Sequence, residues 1–294
     1  FFDQFRMVLM TTDVDLDQYD NFLFDCDGVL WKGTAIIPGG LRIIKALESQ
    51  GKKVFYISNN SMLSREQYVA KLAKLMIKAN TDQIMCSSYA AAQYLFENRQ
   101  LGKVYTIGQE GIAMELAAVG IPCLESRLVH NHNIPRAELD DVAIDPEITA
   151  VVVGYDPELT YTKISYATWL LHQNPSVAFI STNQDATFPS AVRVFPGGGA
   201  CVAPIIVGSG RQPVNVGKPA TYMLELLIRR WGLNPKRCLM IGDNLHTDIL
   251  FGKGGGADTA LVLTGVTQRD DLKAYPDIQP NFVLSSVDDL IPSR

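Results

Sequence analysis

The feature that most constrains the fold of this chain is a regular alternation of short apolar runs with longer, helix-length segments. Continuous apolar runs occupy Asn21–Asp25, Lys53–Ser58, Arg237–Ile241 and Thr259–Leu263. Runs of this length are typical of strands that are buried on both faces of a parallel sheet. Because helix-length segments separate them, the pattern predicts an α/β fold with helices packed on both faces of the sheet.

The middle of the chain repeats this alternation by itself, with a strand-like run at Lys103–Ile107 and a helix-like segment at Thr162–Gln173. This repetition is enough for a second, smaller α/β unit. The polar stretch 125–147 shows no period, which predicts a long excursion at the edge of that unit. His130 and His132 lie in this stretch without other metal ligands nearby, so we expect both to be solvent-exposed rather than metal-binding.

Composition and charge exclude several classes of function. The 294 residues carry 26 Lys and Arg against 31 Asp and Glu, a net charge of -5 with no basic run, which argues against nucleic acid as a partner. No apolar stretch approaches the roughly 20 residues of a membrane span, and the first residues lack the order of a signal peptide. We therefore expect a soluble, cytoplasmic protein with no membrane partner, and its 5 cysteines to be reduced.

Two carboxylates, Asp25 and Asp27, stand at the end of the first apolar run and are followed by Gly28. At this spacing both side chains can face one ligand, and glycine allows its backbone to approach closely. One carboxylate can attack phosphorus, while a second can protonate the leaving oxygen and later activate water. Because Asp-Gly is also a common turn, this motif alone leaves a pair of solvated turn aspartates equally open.

Three further strand ends carry groups that suit phosphate or Mg²⁺. Ser58 and Asn59 end the second run, where hydroxyl and amide donors can hold phosphoryl oxygens. Lys218 follows another short run, and Asp243 and Asp248 offer the hard oxygen ligands that Mg²⁺ prefers. A helix cap or a surface lysine explains each group singly. Four such strand ends in one chain favour a phosphate and Mg²⁺ site.

These four motifs, taken in order, resemble those of the haloacid dehalogenase superfamily of phosphatases. More narrowly, four segments resemble the branch that contains phosphoglycolate phosphatase, 4-nitrophenylphosphatase and pyridoxal phosphate phosphatase. The segments run from Asp25 to Trp31, Gly154 to Pro157, Thr182 to Pro189 and Pro196 to Ala200. The resemblance covers the chain from about residue 19 to residue 266.

The resemblance implies a Rossmann-like parallel-sheet core with a second, smaller α/β cap domain of the C2 type inserted into it. By position, the core is expected at 1–81 and 185–294 and the cap at 82–184. The implied partner is a small-molecule phosphate ester, and the implied cofactor is Mg²⁺. A homodimer formed through the cap is an assembly that this organisation allows.

The resemblance also implies roles for particular residues, which serve phosphoryl transfer, phosphate binding, metal binding and substrate choice. Glu158 stands in a cap loop where relatives often have His. Independently of the resemblance, Arg193 comes shortly after Thr187-Phe188-Pro189, the expected cap hinge, and can contact a substrate carboxylate because arginine suits bidentate pairing; a surface charge explains Arg193 equally well. The implied assignments are Asp25 as nucleophile, Asp27 as general acid and base, Ser58, Asn59 and Lys218 as phosphate ligands, Asp25, Asp27 (through its carbonyl) and Asp243 as Mg²⁺ ligands, Asp248 beside the metal, and Glu158 at the substrate.

The leading hypothesis is therefore a Mg²⁺-dependent phosphomonoesterase of the phosphoglycolate or 4-nitrophenyl phosphate type that forms an aspartyl-phosphate. A pyridoxal phosphate or sugar phosphate phosphatase is the alternative within the branch, and a phosphotransferase differs mainly in its acceptor. From another class, a receiver-like phospho-accepting module or a non-catalytic binding protein stays open. The receiver is disfavoured because it needs one compact unit of about the common domain size, whereas Ser58 and Lys218 lie far apart in this sequence.

Overall fold

The computed structural model describes residues 14–189 and 193–291, which pack as two compact units. The first unit joins the residues up to Tyr56 to those from Ile228 onward. The second unit, Ile57–Leu227, is inserted in sequence between these two halves. The boundaries of the cap near residues 82 and 184 stay a prediction.

The strands in the described residues are short, with at most 6 residues each. In chain order they are β1 (Asn21–Asp25), β2 (Trp31–Lys32), β3 (Ala35–Ile36), β4 (Lys53–Ser58), β5 (Ile84–Cys86), β6 (Lys103–Ile107), β7 (Cys123–Glu125), β8 (Ile148–Val153), β9 (Ala178–Ser181), β10 (Thr187–Pro189), β11 (Val194–Pro196), β12 (Val214–Asn215), β13 (Cys238–Gly242), β14 (Asp258–Val262) and β15 (Phe282–Leu284).

The α-helices alternate with the strands along the chain. Within the described ranges, no helix is both long and apolar enough to cross a bilayer. The helices are α1 (Gly40–Ser49), α2 (Arg65–Lys74), α3 (Ser87–Glu97), α4 (Glu110–Ala118), α5 (Ser126–Val129), α6 (Tyr161–Gln173), α7 (Gly198–Ser209), α8 (Tyr222–Trp231), α9 (Leu250–Gly254) and α10 (Asp271–Ala274), with a π-helical turn at Leu245–Ile249 and 3-10 turns at Leu16–Gln18, Thr81–Gln83, Arg136–Asp141, Pro235–Arg237 and Val287–Leu290.

The first unit is built on strands in the order β15, β14, β13, β1, β4. β13 pairs in parallel with both β1 and β14, and β14 pairs in parallel with β15. Every residue of β1 and of β13 is buried, as expected for strands covered on both faces. The predicted parallel-sheet α/β fold is confirmed, and the predicted bounds of β1 and β4 match the structure. Because parallel neighbours end at one edge, Asp25 and Gly242 close their strands on the same side of the sheet.

The second unit contains its own five-stranded sheet in the order β12, β9, β8, β6, β7, and every neighbouring pair in it is parallel. Apolar side chains of β6, β8 and β9 pack against α6 and α7 to form its core. The strand predicted at Lys103–Ile107 and the helix predicted at Thr162–Gln173 are both present, the helix starting one residue earlier. The second α/β unit expected from the sequence is therefore confirmed.

The polar excursion after residue 125 is more ordered than its sequence predicts. It carries the short helix α5, and the edge strand β7 directly before it pairs with β6. The expectation that His130 is solvent-exposed is wrong, because only 8% of this residue is exposed. Its Nδ1 lies 2.7 Å from the Tyr105 hydroxyl, and its ring packs 4.8 Å from that of Tyr166. Contacts with aromatic side chains of the core thus bury His130, although the segment around it is polar.

A buried ion pair fixes the loop between β8 and α6. The Thr160 hydroxyl caps α6 by accepting the main-chain N–H of Lys163 at 3.1 Å. This start places Lys163 Nζ 2.7 Å from a carboxylate oxygen of Asp156, and both side chains are fully buried. Lys163 Nζ also donates to the main-chain oxygen of Glu158 at 2.8 Å, and the Glu158 N–H donates to Asp156 at 2.9 Å. The backbone of Glu158 is therefore held from both sides.

Candidate active site

Three aspartates of the first unit form a buried acidic cluster. Asp25, Asp243 and Asp248 each present a carboxylate oxygen, and these oxygens lie within 4.8 Å of one another. The exposed fractions of the three residues are 8%, 5% and 1%. Two ionised carboxylates at such a distance repel by roughly 3 kcal/mol at an effective dielectric constant of about 20. A divalent cation bound by these hard oxygens would offset the repulsion, and the donor set fits Mg²⁺.

Main-chain hydrogen bonds orient two members of the acidic cluster. Val266 N donates to Asp243 Oδ2 at 2.8 Å. Asp248 Oδ2 accepts the main-chain N–H groups of Asp243 and Asn244, both at 3.1 Å. Asp248 thereby ties the π-helical turn to the residues that directly follow β13, which fits a role beside the metal site.

Two glycines allow the backbone to close around Asp243. A Cβ atom built on Gly28 or on Gly265 would collide with the Asp243 carboxylate. Gly28 also has φ +88, a left-handed conformation that side chains other than glycine rarely adopt. The need for glycine directly after the two motif aspartates, expected from the sequence, is therefore explained by both its conformation and its neighbour.

Asp27 differs from Asp25 in its surroundings, although only one residue separates them. Asp25 is buried at the end of β1, whereas Asp27 is exposed in the following loop. Its Oδ1 accepts the indole N–H of Trp31 at 2.7 Å. An exposed carboxylate next to a buried one is an arrangement that can divide proton transfer and nucleophilic attack between two groups.

The second unit contains a separate set of polar groups built around Asn59 and Lys218. The Lys218 N–H donates to Asn59 Oδ1 at 2.7 Å, and Asn59 Nδ2 donates back to the Lys218 carbonyl at 3.0 Å. Lys218 is 2% exposed and Asn59 is 9% exposed. This reciprocal pair fixes the main chain of Lys218, although the two residues are 159 positions apart.

Ser58 ends β4 and is 4% exposed. Its Oγ lies 2.8 Å from the Tyr68 hydroxyl and accepts the main-chain N–H of Asn60 at 3.2 Å. Two neighbours thus hold the hydroxyl at the end of the strand. This is what a hydroxyl that binds a phosphoryl oxygen requires. No sequence pattern predicts the contact with Tyr68, which belongs to α2.

Sequence reasoning missed Asp185 and Asn183 as members of the Asn59 network. Asn59 Nδ2 lies 3.2 and 3.1 Å from the two carboxylate oxygens of Asp185. Asn183 Nδ2 donates to the Asn59 carbonyl at 2.8 Å, and Asn183 Oδ1 accepts the Asp185 N–H at 3.1 Å. The available signal was the polar run directly after β9, which contributes to the family resemblance but does not by itself predict a contact with Asn59.

The two residues expected at the substrate, Glu158 and Arg193, are both exposed. Glu158 lies on the loop after β8 that the buried Asp156–Lys163 pair holds. Arg193 directly precedes β11, and residues 190–192 lie outside the described part of the chain. Their proposed roles in substrate choice stay predictions.

Comparison with known proteins matches two parts of the chain to family profiles. Residues 22–122 match the profile described as haloacid dehalogenase-like hydrolase, and residues 215–290 match one described as HAD-hydrolase-like. The interval between them, 123–214, contains β7 to β11 and α5 to α7, and β12 spans its end. The two profiles therefore flank the middle of the second unit.

Curated relatives and solved structures extend the match over nearly the whole chain. Phosphoglycolate phosphatase 2 of Arabidopsis thaliana is 40% identical over 280 residues, which cover 94% of this chain and 93% of the relative. The 4-nitrophenylphosphatase of Schizosaccharomyces pombe is 37% identical over 284 residues, covering 92% and 93%. The crystal structure of a 4-nitrophenylphosphatase from Thermotoga maritima aligns with a TM-score of 0.81 at 27% identity, covering 94% of this chain and 97% of that one. These matches confirm the resemblance seen in the four motifs, and the chain belongs to the haloacid dehalogenase-like hydrolase family.

Proposed function

We propose that this chain is a Mg²⁺-dependent phosphoric monoester hydrolase that acts on small-molecule phosphate esters through an aspartyl-phosphate on Asp25. The observation that carries the proposal is the buried cluster of Asp25, Asp243 and Asp248, whose carboxylate oxygens lie within 4.8 Å of one another. The named phosphatases among its relatives support the same class of reaction.

The two motif aspartates divide the chemistry between them. In the first step Asp25 attacks the phosphorus, a bond forms between its carboxylate oxygen and phosphorus, and the bond to the leaving oxygen breaks. Asp27, as a carboxylic acid, gives its proton to that oxygen, so the alcohol departs uncharged. In the second step Asp27 takes a proton from water as the water oxygen attacks phosphorus. The bond to Asp25 breaks, and inorganic phosphate leaves.

Asp25, Asp243 and the main-chain carbonyl of Asp27 would hold Mg²⁺. When bound, Mg²⁺ supplies positive charge that offsets the negative oxygens of the phosphoryl group and of the carboxylates around it. We assign Asp248 to orient this site, because its Oδ2 already accepts two main-chain N–H groups at 3.1 Å. Asp243 is oriented in the same way by Val266.

We assign Ser58, Asn59 and Lys218 to hold the phosphoryl oxygens. Lys218 brings a positive charge, and its backbone is fixed by Asn59 at both N–H and carbonyl. A rigid backbone limits the positions that the ammonium group can take, which favours charge stabilisation in the transition state. Ser58 brings a hydroxyl whose position Tyr68 and Asn60 restrict.

The substrate class is a small phosphate ester, of the phosphoglycolate or 4-nitrophenyl phosphate type. These two compounds appear in the names of two relatives, which are 40% and 37% identical to this chain. A pyridoxal phosphate or sugar phosphate ester is the alternative within the same class. Glu158 and Arg193 are the residues that we propose to influence this choice, since each places a charge on an exposed segment of the second unit.

A phospho-accepting signalling module or a non-catalytic binding protein is the competing class of function. Both carboxylates of the first motif argue against a non-catalytic protein, and the phosphatase relatives argue against a signalling module. Turnover separates the classes, because neither competitor releases phosphate repeatedly. A homodimer through the cap stays a prediction, which light scattering on the purified chain measures.

The experiment that tests the proposal measures release of inorganic phosphate from a panel of esters at fixed Mg²⁺. The panel contains 4-nitrophenyl phosphate, phosphoglycolate, pyridoxal phosphate, sugar phosphates and nucleotides. We expect multiple turnovers on at least one small ester and loss of turnover in EDTA. Asp25→Asn should lower kcat by at least about 10⁴-fold, since it removes the attacking anion from an enzyme whose full acceleration is 10⁶-fold or more.

Asp25→Asn is nearly isosteric, so its circular dichroism spectrum should match that of the parent. Activity of this variant within about tenfold of the parent would exclude Asp25 as the nucleophile. A single turnover, or phosphate release that persists in EDTA, would contradict the metal-dependent hydrolase.

A further inference from the structure

The loop after β1 folds back on itself in the first unit. The Gly28 N–H donates to the Trp31 carbonyl at 2.7 Å, and the N–H groups of Leu30 and Trp31 donate to the Cys26 carbonyl at 3.0 and 3.2 Å. The main chains of Asp27 and Trp31 also form an isolated parallel β-bridge. These bonds close residues 26–31 into a tight loop, which brings Trp31 next to Asp27.

The Trp31 side chain anchors this loop in the core. Trp31 is 0% exposed, whereas Asp27 is exposed. The indole Nε1–H donates to Asp27 Oδ1 at 2.7 Å. An indole ring that is packed on all sides has one rotamer and one donor, so the direction of its N–H is fixed. An otherwise exposed carboxylate is thereby held by a group that cannot move with it.

We propose that Trp31 is a positioning residue, which holds the Asp27 carboxyl group in the orientation needed for proton transfer to the leaving oxygen. The inference rests on the proposed function, in which Asp27 is the proton donor of the first step. The bond from Trp31 restricts the rotamers of the Asp27 side chain, and proton transfer requires a donor within hydrogen-bond reach of the acceptor. Trp31 touches neither substrate nor metal in this role and acts only through Asp27.

The role predicts a dependence on the leaving group. An alkoxide is a strong base and leaves only when it is protonated, whereas 4-nitrophenolate is a stable anion that needs little help. The ratio kcat/KM reports the steps up to departure of the leaving group, so it is the quantity to compare. Loss of the orientation of Asp27 should therefore affect alkyl phosphates more than 4-nitrophenyl phosphate.

The test compares Trp31→Phe with the parent on 4-nitrophenyl phosphate and on an alkyl ester, glycerol 3-phosphate, at saturating Mg²⁺. We expect kcat/KM for the alkyl ester to fall at least about tenfold more than kcat/KM for the aryl ester, with KM for either ester within about threefold of the parent. Trp231→Phe is the matched control, because Trp231 belongs to the same unit and packs against Phe55 with ring centroids 5.8 Å apart. It should leave the ratio between the two esters unchanged.

Trp31→Phe also leaves space in the core, so a second variant separates packing from hydrogen bonding. Replacement of Trp31 by β-(3-benzothienyl)alanine keeps the shape of the ring and substitutes sulfur for the N–H. It should reproduce the selective loss on the alkyl ester. Equal losses on both esters in an active enzyme, or a benzothienyl variant equal to the parent, would overturn the role of Trp31 alone. A parent that hydrolyses neither these two esters nor any other ester of the panel would overturn the proposed function itself and this role with it.

Discussion

The acidic cluster of the first unit and the Asp156–Lys163 pair of the second unit are two buried charged regions with opposite organisation. In the first, Asp25, Asp243 and Asp248 gather three groups of one sign within 4.8 Å. In the second, one carboxylate meets one ammonium at 2.7 Å, and both side chains are 0% exposed. The first arrangement brings like charges together, whereas the second pairs opposite charges.

This difference indicates that the acidic cluster serves ligand binding, whereas the ion pair restricts the conformation of the chain around it. Burying like charges costs free energy that an ordinary core would avoid, so such a cluster points to a ligand. A buried pair of opposite charges contributes little net stability but restricts conformation, because breaking it is costly. In this chain the pair restricts the loop that carries Glu158. Changes at Lys163, Asp243, Glu158 and His130 test this difference, with expected effects that decrease in that order.

Lys163→Met should produce the largest loss of stability, because it leaves the Asp156 carboxylate buried without its cation. A loss of about 3–5 kcal/mol in the free energy of unfolding is expected. Urea unfolding monitored by circular dichroism measures it. The double variant Asp156→Asn with Lys163→Met should recover part of the loss, since it leaves no buried charge.

Lys103→Met is the matched control for that experiment. Lys103 lies 2.6 Å from Asp145 in the same unit, but both side chains are partly exposed. Water compensates an exposed charge, so this variant should lose much less stability than Lys163→Met. Similar losses in the two variants would mean that burial does not distinguish the pairs.

Mg²⁺ should stabilise the parent, because a ligand that binds only the folded state raises the free energy of unfolding. At 100 times the dissociation constant the gain is about 2.7 kcal/mol. Asp243→Asn should lose most of this gain at the same Mg²⁺ concentration, and part of it should return at higher concentration. Thermal unfolding with and without Mg²⁺ measures the effect independently of activity.

Lys163→Ala with Asp156→Ala serves as the opposite control for the Mg²⁺ experiment. That variant alters the self-contained pair, so its gain on adding Mg²⁺ should equal that of the parent. Should Asp243→Asn show the full gain, Asp243 is not a ligand. The acidic cluster would then not bind a cation through Asp243, and the contrast drawn between the two buried regions would be wrong.

Much of the fold was predictable because its signal is local. The bounds of β1, β4 and β6 follow from continuous apolar runs that end at polar residues. The acidic cluster was likewise predictable in part, since each of its aspartates comes shortly after such a run. Parallel pairing of β1 with β13 then determines that Asp25 and Asp243 end at one edge.

The parts that could not be predicted depend on contacts between distant residues. Asn59 meets Asp185 across 126 positions, and no local pattern marks either as a partner. Lys163 looks like an ordinary helix residue in the sequence, and only the packing of α6 buries it against Asp156. His130 was expected in solvent because its neighbours are polar, yet Tyr105 and Tyr166 enclose it.

Glu158→His tests whether the loop held by the buried pair helps to choose the substrate. The Glu158 carboxylate should repel a second negative group on an ester such as phosphoglycolate, and histidine would remove that repulsion. We expect kcat/KM for phosphoglycolate or pyridoxal phosphate to rise by at least about tenfold relative to 4-nitrophenyl phosphate, which corresponds to about 1.4 kcal/mol. Glu138→His, which changes another exposed carboxylate of the same unit, is the control and should leave the ratio unchanged. An unchanged ratio in Glu158→His would remove Glu158 from the substrate site.

The smallest expected effect concerns His130, a buried histidine of the second unit. Burial, followed by the nearby charges of His132 and Lys163, lowers the pKa of His130 below its ordinary value. Neutral Nδ1 can accept the hydroxyl proton of Tyr105, whereas protonated Nδ1 can only donate, so protonation would reverse this bond.

The sign of the pH effect follows from which state binds the proton first. As pH falls through about 6.5, the unfolded chain protonates this histidine while the folded chain resists, so the folded state loses stability. The loss is at most about 1.4 kcal/mol per pH unit for one group. The difference in unfolding free energy between His130→Gln and the parent should therefore be smaller at pH 5.5 than at pH 7.5. His132→Gln, at an exposed position, should keep the pH slope of the parent. If His130→Gln kept that slope as well, the Tyr105 contact would tolerate the proton, and burial alone would not make this residue sensitive to charge.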